Sequence, residues 1–295
     1  MTKLSGIFAA SMSVINPDLS LNVEKTINHA ENLIDNGCHG VAIFGSTGQS
    51  QLISVSEKIQ LINDLSKSKY KDKYIIGTGL NSLSETINFM KISTTLNFKD
   101  FLIMPPAYYN KNTDKGVFEF YSKIISFLPK IKIILYNFEK LSGFRFEIDF
   151  VKKLVNKFPK NIIGCKDSSY NLYEKLKIKN FLMFPGSEEK LLKGLNLGCA
   201  GCISAVTNVT HYLARKVFDD FESGKKSSFN NELVLARQIF DKFNLISALH
   251  SFMSIKDKHY TNLLPPLTLL SEKDLKTLVD SLKKKNFIIE KNKAA

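Results

Sequence analysis

Eight times in succession the chain passes through a short apolar run and then a longer stretch with apolar residues along one helical face. The runs predict strands at 6–11, 40–45, 74–79, 101–105, 131–137, from 162, 181–184 and 202–206. Helices are predicted behind them at 21–36, 56–68, 84–96, 115–128, 147–158, 172–178, 188–197 and 211–222. The first is typical, with Val23, Ile27, Ala30, Leu33 and Ile34 on one face and Gly37 ending it. Nearly every strand is too apolar to face water, so both of its sides must be covered, as in a parallel sheet wrapped by helices. Eight such units, without the glycine fingerprint by which open sheets hold phosphates, fit an α/β fold of the (β/α)8 TIM barrel type. After 224 the strands stop, and 225–295 reads as an appended C-terminal helical bundle with helices at 229–243, 246–259 and 272–284 and a frayed tail at 291–295. The expected division is a barrel carrying the active site over 1–224 and a helical extension, not an independent domain, over 225–295.

Bulk properties exclude several classes. No apolar run approaches the roughly 20 residues that span a bilayer, and the first residues lack a signal-peptide pattern, so a cytoplasmic protein with no membrane partner is expected. A net charge of +13 invites a nucleic-acid reading, but Arg145, Arg215 and Arg237 are the only arginines and the lysines are spread over every predicted helix. Base and phosphate readout leans on arginine forks, so no nucleic-acid partner is expected. Cys199 and Cys202 have C-x-x-C spacing, yet Cys38 and Cys165 stand alone and the five histidines show no ligand spacing. The pair is read as small apolar residues at a tight junction, and no metal is expected.

In a barrel, chemistry gathers where the strands end. The run from Ile162 delivers Lys166 after Gly164 and Cys165, then turns polar at Asp167, Ser168 and Ser169. Apolar surroundings disfavour an ammonium relative to the free amine, which is the nucleophile of Schiff-base chemistry. The second strand ends in Gly45-Ser46-Thr47-Gly48-Gln49, whose hydroxyls and successive backbone N–H groups suit a carboxylate. The fourth ends in Pro105-Pro106-Ala107-Tyr108-Tyr109-Asn110 and the fifth in Leu135-Tyr136-Asn137. A tyrosine hydroxyl held by a threonine can move the protons that forming and breaking a carbinolamine requires. A lysine, tyrosines, a threonine and an anion nest on different strand ends therefore point to covalent catalysis on a keto acid.

These segments, with Pro185-Gly186-Ser187 and Gly201-Cys202-Ile203-Ser204, resemble in order and spacing the dihydrodipicolinate synthase and N-acetylneuraminate lyase family of pyruvate-dependent class I aldolases, over essentially the whole chain. The resemblance implies that Lys166 forms the Schiff base with pyruvate, that Ser46 and Thr47 bind its carboxylate, and that Tyr136 is the acid/base hydroxyl. It implies a relay completed by Thr47 and one of the tyrosine pair, with Tyr109 favoured over Tyr108, reaching across from a neighbouring subunit of a homotetramer built as a dimer of dimers. Gly186 and Ile203 are carried over as substrate contacts, and no cofactor is implied beyond the lysine itself.

The second substrate separates family members. Synthases of the family carry an arginine five residues after the tyrosine of strand five, gripping the carboxylate of aspartate semialdehyde. Here that position is Leu141, which cannot form a forked ion pair. Leu141-Ser142-Gly143 resembles instead the lyases of sialic acid and of 2-keto-3-deoxy sugar acids, and Glu188 and Glu189 would fall where those enzymes hydrogen-bond substrate hydroxyls. The same two acids equally suit a helix N-terminus. Asn81 and Glu85 match positions near the lysine-inhibition site of the synthases. The expected function is a pyruvate-releasing lyase of a 2-keto-3-deoxy sugar acid or related 2-keto acid. Condensation of pyruvate with aspartate semialdehyde is the first alternative, and a keto-acid-binding homologue without turnover the second.

Overall fold

The computed structural model describes residues 4–109, 111–285 and 287. Strands β1 (Gly6–Ala10), β2 (Gly40–Ile43), β3 (Tyr74–Gly77), β4 (Asp100–Ile103), β5 (Lys132–Asn137), β6 (Ile162–Asp167), β7 (Leu182–Pro185) and β8 (Gly201–Ser204) are parallel, in the order β7-β6-β5-β4-β3-β2-β1-β8. The two ends of that order meet where the Ala200 N–H donates to the Met183 carbonyl at 2.8 Å. The sheet thus curls into a nearly closed barrel, as the apolar cadence predicts.

Around it lie α1 (Val23–Asp35), α2 (Val55–Leu65), α3 (Leu83–Thr95), α4 (Asp114–Phe127), a one-turn α5 (Glu139–Ser142), α6 (Ile148–Lys157), α7 (Leu191–Asn196) and α8 (Thr207–Glu222). Phe8, Ala10, Ala42, Ile75, Leu102, Ile134, Phe184 and Ile203 fill the barrel interior with Tyr136. The alternate residues, among them Ile7, Val41, Phe101, Leu135 and Cys165, are buried under the helices. Both faces of each strand are dry, which is why none alternates between apolar and polar. Helix starts follow their caps: Asn22 accepts from the Lys25 N–H, and Ser54 and Glu57 form a reciprocal capping box on α2.

Two helical expectations fail. Residues 172–178 form turns, because the buried Asp167 carboxylate draws in the N–H groups of Tyr170, Leu172 and Tyr173 at 2.8–2.9 Å and winds the chain around itself. The stretch 188–197 splits into a 3-10 turn at Glu188–Lys190 and the short α7.

Beyond α8 come α9 (Asn230–Phe240), α10 (Leu245–Met253), a 3-10 turn at Lys258–Thr261 and α11 (Glu272–Lys283). This extension is tied to the barrel by polar contacts as well as apolar packing. Tyr260 Oη lies 2.7 Å from His29 Nδ1, Asn262 Nδ2 donates to the Ile15 carbonyl, and the Leu264 N–H donates to Gln49 Oε1. Asn110 and the tail 291–295, which the sequence predicts to fray, lie outside the described residues. Among the described residues no helix is long and apolar enough to cross a membrane.

Candidate active site

The register of β5, β6 and β7 sets Tyr136, Lys166 and Phe184 side by side, all pointing into the barrel. Lys166 is 3% exposed, and its Nζ lies 4.1 Å from the centroid of the Tyr136 ring. A cation over a ring face is attracted by the ring quadrupole, and an iminium formed on Lys166 would be held in the same way. The Tyr136 hydroxyl hydrogen-bonds with Ser46 Oγ at 2.9 Å. The sequence reading pairs a tyrosine with Thr47. Here the side chain on the phenol is Ser46, while Thr47 is buried in the same turn.

That turn is built to approach the barrel closely. Phe44 at φ +57° and Gln49 at φ +55° bracket a 3-10 turn at Ser46–Gly48. A Cβ on Gly48 would sit 2.8 Å from the Ser11 carbonyl oxygen, so glycine alone fits there, and Ser13 Oγ donates to the Gly48 carbonyl at 2.7 Å. Gln49 is held in its left-handed conformation by its own amide, whose Oε1 accepts from the Leu264 N–H and whose Nε2 donates to His250 Nε2 at 3.4 Å. His250 Nδ1–H donates to the Tyr260 carbonyl, the Tyr260 hydroxyl to His29 Nδ1, and His29 Nε2–H to Asn208 Oδ1. Asn208 Nδ2 then donates to the Ala10 carbonyl at the end of β1. Every donor in this buried chain meets an acceptor when both histidines are neutral, and burial favours that form, lowering His29 and bringing His250 down to about 4. Nothing in the spacing of these residues announces the network.

The candidate substrate contacts divide. Ile203 is buried in the barrel interior. Gly186 closes the end of β7 against Ser168, whose Oγ would be 2.1 Å from an added Cβ. Leu141, half-exposed on α5, lines a 320 Å³ cavity at the mouth of the barrel whose wall also includes Ser46 and Tyr136. Lys166 is not on that wall and stands against the Tyr136 ring. Glu188, expected to meet substrate hydroxyls, is 0% exposed with both oxygens occupied: Thr207 Oγ1 donates at 2.6 Å, Ser204 Oγ at 2.7 Å and Arg237 Nη1 at 3.0 Å. Burial opposes the Arg237 charge, but Glu188 and Asp241 more than offset it and raise its pKa. Glu188 is therefore a strut between the barrel and α9. Glu189 turns to Lys190 and Gln238, and is not on the cavity wall either.

Tyr108 and Tyr109 stand edge to face on the surface, 83% and 74% exposed, whereas Lys166 is buried in the barrel. Asn81 Oδ1 holds their loop by accepting from the Ala107 N–H at 2.9 Å. Sequence reasoning passed over Lys58, which is fully buried on α2. Its Nζ donates to the carbonyls of Thr78 and Gly79 at 2.9 and 3.2 Å, and burial lowers its pKa to about 8. The C-x-x-C thiols are buried, which pushes Cys199 up to about 11 and Cys202 further. Among the described residues no group of three or more His, Cys, Asp or Glu is placed to hold a metal ion.

Comparison with known proteins gives this arrangement its context. A family profile described as "Dihydrodipicolinate synthetase family" matches residues 3–285. An "Uncharacterized DapA-like lyase" of Chloroflexus aurantiacus is 27% identical over 286 residues, covering 94% of this chain and 96% of the relative. A 4-hydroxy-tetrahydrodipicolinate synthase of Listeria innocua is 31% identical over 241 residues, covering 78% of this chain and 81% of its own length. Among solved structures, a prophage protein of Escherichia coli K12 from the dihydrodipicolinic acid synthase family, crystallised with pyruvate, superposes with a TM-score of 0.86 at 20% identity, covering 97% of this chain and 99% of that one. With the barrel, the lysine on β6 and the whole-length match in agreement, the chain belongs to the dihydrodipicolinate synthetase family of lyases.

Proposed function

We propose that this protein is a Schiff-base-forming class I aldolase that releases pyruvate from, or adds it to, a 2-keto acid skeleton. The observation that carries the reading is the dry amine of Lys166 packed against a tyrosine whose hydroxyl is already hydrogen-bonded to Ser46. The amine attacks the ketone of the keto acid, and the carbinolamine loses water to leave an iminium. Tyr136, with Ser46 behind it, supplies and removes the protons of those steps. In the cleavage direction a proton leaves the 4-hydroxyl, the C3–C4 bond breaks, and an aldehyde departs. The resulting enamine is protonated at C3 and hydrolysed, freeing pyruvate and the amine. The Ser46-Thr47-Gly48 turn holds the carboxylate throughout. No oxidant or reductant enters this balance, so the amine is the only catalytic group of cofactor type required.

Two further elements belong to this reading. Tyr109, or Tyr108, works in a neighbouring copy's site within a cytoplasmic homotetramer, a role open to it because both rings are exposed on the surface of their own chain. The natural skeleton is one whose aldehyde half needs no carboxylate clamp, because Leu141 stands on the cavity wall where an arginine would be wanted. That favours lyases of 2-keto-3-deoxy sugar acids and related 2-keto acids over condensation with aspartate semialdehyde. The second reading is supported by the 31% identity to a named synthase. Borohydride reduction in the presence of pyruvate should add one reduced pyruvate to Lys166, and an unmodified lysine would sink the proposal. Assaying pyruvate with aspartate semialdehyde and with sugar aldehydes separates the two readings, and absence of turnover on every aldehyde would leave a keto-acid-binding homologue.

A further inference from the structure

Resting on the aldolase part of that reading, and turning its aldehyde half away from sugar acids toward the related 2-keto acids, the geometry points to an aldehyde partner whose substituent is apolar, aromatic or branched aliphatic, rather than a polyol or a carboxylate. The cavity that opens from Tyr136 and Ser46 is where the departing or attacking aldehyde must lie. Its wall comes from four parts of the chain: Phe44 and Leu52 after β2, Met104 after β4, Leu141 on α5, and Ile246 and Leu267 from the extension. None of the described lining residues carries a charge.

The polar side chains on the wall are largely spoken for. Ser46 is bonded to Tyr136, Gln49 holds the Leu264 N–H and His250, and Ser50 is buried with its hydroxyl packed against Gly79, which leaves Gln51 at the exposed rim as the polar side chain open to a ligand. Glu188, the acid that could have received sugar hydroxyls, is consumed by Arg237, Ser204 and Thr207. A polyol chain entering such a cavity gives up hydrogen bonds to water and finds few replacements, which is unfavourable for each hydroxyl left unpaired. A hydrocarbon substituent of similar size gives up nothing and gains contact on most sides. A cavity of 320 Å³ accommodates a phenyl or branched alkyl group. The reaction is the one already balanced: the enamine carbon bonds to the aldehyde carbon, the aldehyde oxygen takes up a proton, and hydrolysis releases a 4-hydroxy-2-keto acid.

The test offers the purified full-length enzyme pyruvate with benzaldehyde, isobutyraldehyde, glyceraldehyde and aspartate semialdehyde in parallel, following pyruvate loss and the 4-hydroxy-2-keto acid formed. The two apolar aldehydes should be preferred by at least about 10-fold in kcat/KM, the discrimination a hydrophobic pocket exerts on small differences in substituent. Equal or better turnover of glyceraldehyde or aspartate semialdehyde overturns the inference. So does an enzyme that forms the reduced pyruvate adduct on Lys166 but accepts neither apolar aldehyde. Failure to form that adduct at all is a different outcome, and removes the aldolase reading beneath. Ile246→Gln and Leu267→Gln should each cut the apolar-to-polar preference about 3- to 10-fold. The preference is a ratio within one preparation, so it does not depend on how much of the variant folds, and an unchanged ratio in both variants also overturns the assignment.

Discussion

Replacing Arg237 by methionine removes a guanidinium that is 8% exposed and donates to Glu188 Oε2 at 3.0 Å and to Ser204 Oγ at 2.9 Å. The Glu188 carboxylate is then left at 0% exposure with two hydroxyl donors and no countercharge. Removing one partner of a buried pair costs about 3–5 kcal/mol, because the remaining charge cannot reach water. With about 2.1 cal/mol/K of unfolding entropy per residue over 295 residues, that loss lowers the thermal midpoint by about 5–8 °C. The double variant Glu188→Leu with Arg237→Met removes both charges from the same site. It should recover at least about 2 kcal/mol of the summed single losses, since a dry apolar pair of similar volume is tolerated there. Scanning calorimetry on the two singles and the double measures the coupling, and borohydride trapping below the transition reports whether the pyruvate half is intact. The reasoning fails if Arg237→Met melts like the parent, or if the double is as unstable as the sum. It fails equally if Glu188→Leu keeps its midpoint while losing turnover, which would return Glu188 to the substrate.

Tyr136→Phe deletes the hydroxyl that faces Ser46 while keeping the ring under Lys166, so kcat should fall about 10²- to 10⁴-fold with little change in stability, as read by steady-state kinetics. Gln49→Ala leaves the buried Leu264 N–H and His250 without their partner, destabilising the fold by about 1–3 kcal/mol and loosening the carboxylate turn, so KM for the keto acid should rise more than kcat falls. Lys58 titrates at about 8 in the folded chain against an ordinary 10.5, so the unfolded state binds more protons between those values and stability rises with pH across that window. Urea melts should show the parent gaining up to roughly 3 kcal/mol on Lys58→Met between pH 8 and 10.5, and a flat difference would refute the assignment.

Much of this fold is written locally. Runs such as Ile133 to Leu135 or Ile75 and Ile76 have two dry faces, and a period-free apolar segment is the visible sign of that. Strand-end chemistry is legible for the same reason, since Lys166 and Tyr136 follow directly on such runs. What stayed hidden depends on partners far along the chain. Residues 172–178 are a nearer case: they have a helical pattern, but the chain there is wound into turns about the buried Asp167 carboxylate, whose burial the local pattern does not reveal. Glu188 sits at a helix start like many acids, and only Arg237, 49 residues on, turns it into a buried strut. Lys58 reads as one surface lysine among many until α2 is laid against the end of β3. The fate of the tyrosine pair is set by whatever meets the surface from which Tyr108 and Tyr109 project, which no pattern within one chain encodes.

Because Ile246, Pro266 and Leu267 furnish one side of the chamber in front of Tyr136, an aldehyde bound as proposed would be selected jointly by the barrel and by the helices that follow it, while the proposed covalent chemistry would draw on the barrel alone. Changes at Ile246 or Leu267 can alter that chamber while leaving the amine and its phenol in place, whereas changes at His250 or Leu264 would also reach the turn through Gln49. Companion choice would then be adjustable from outside the barrel without rebuilding the keto-acid end of the site.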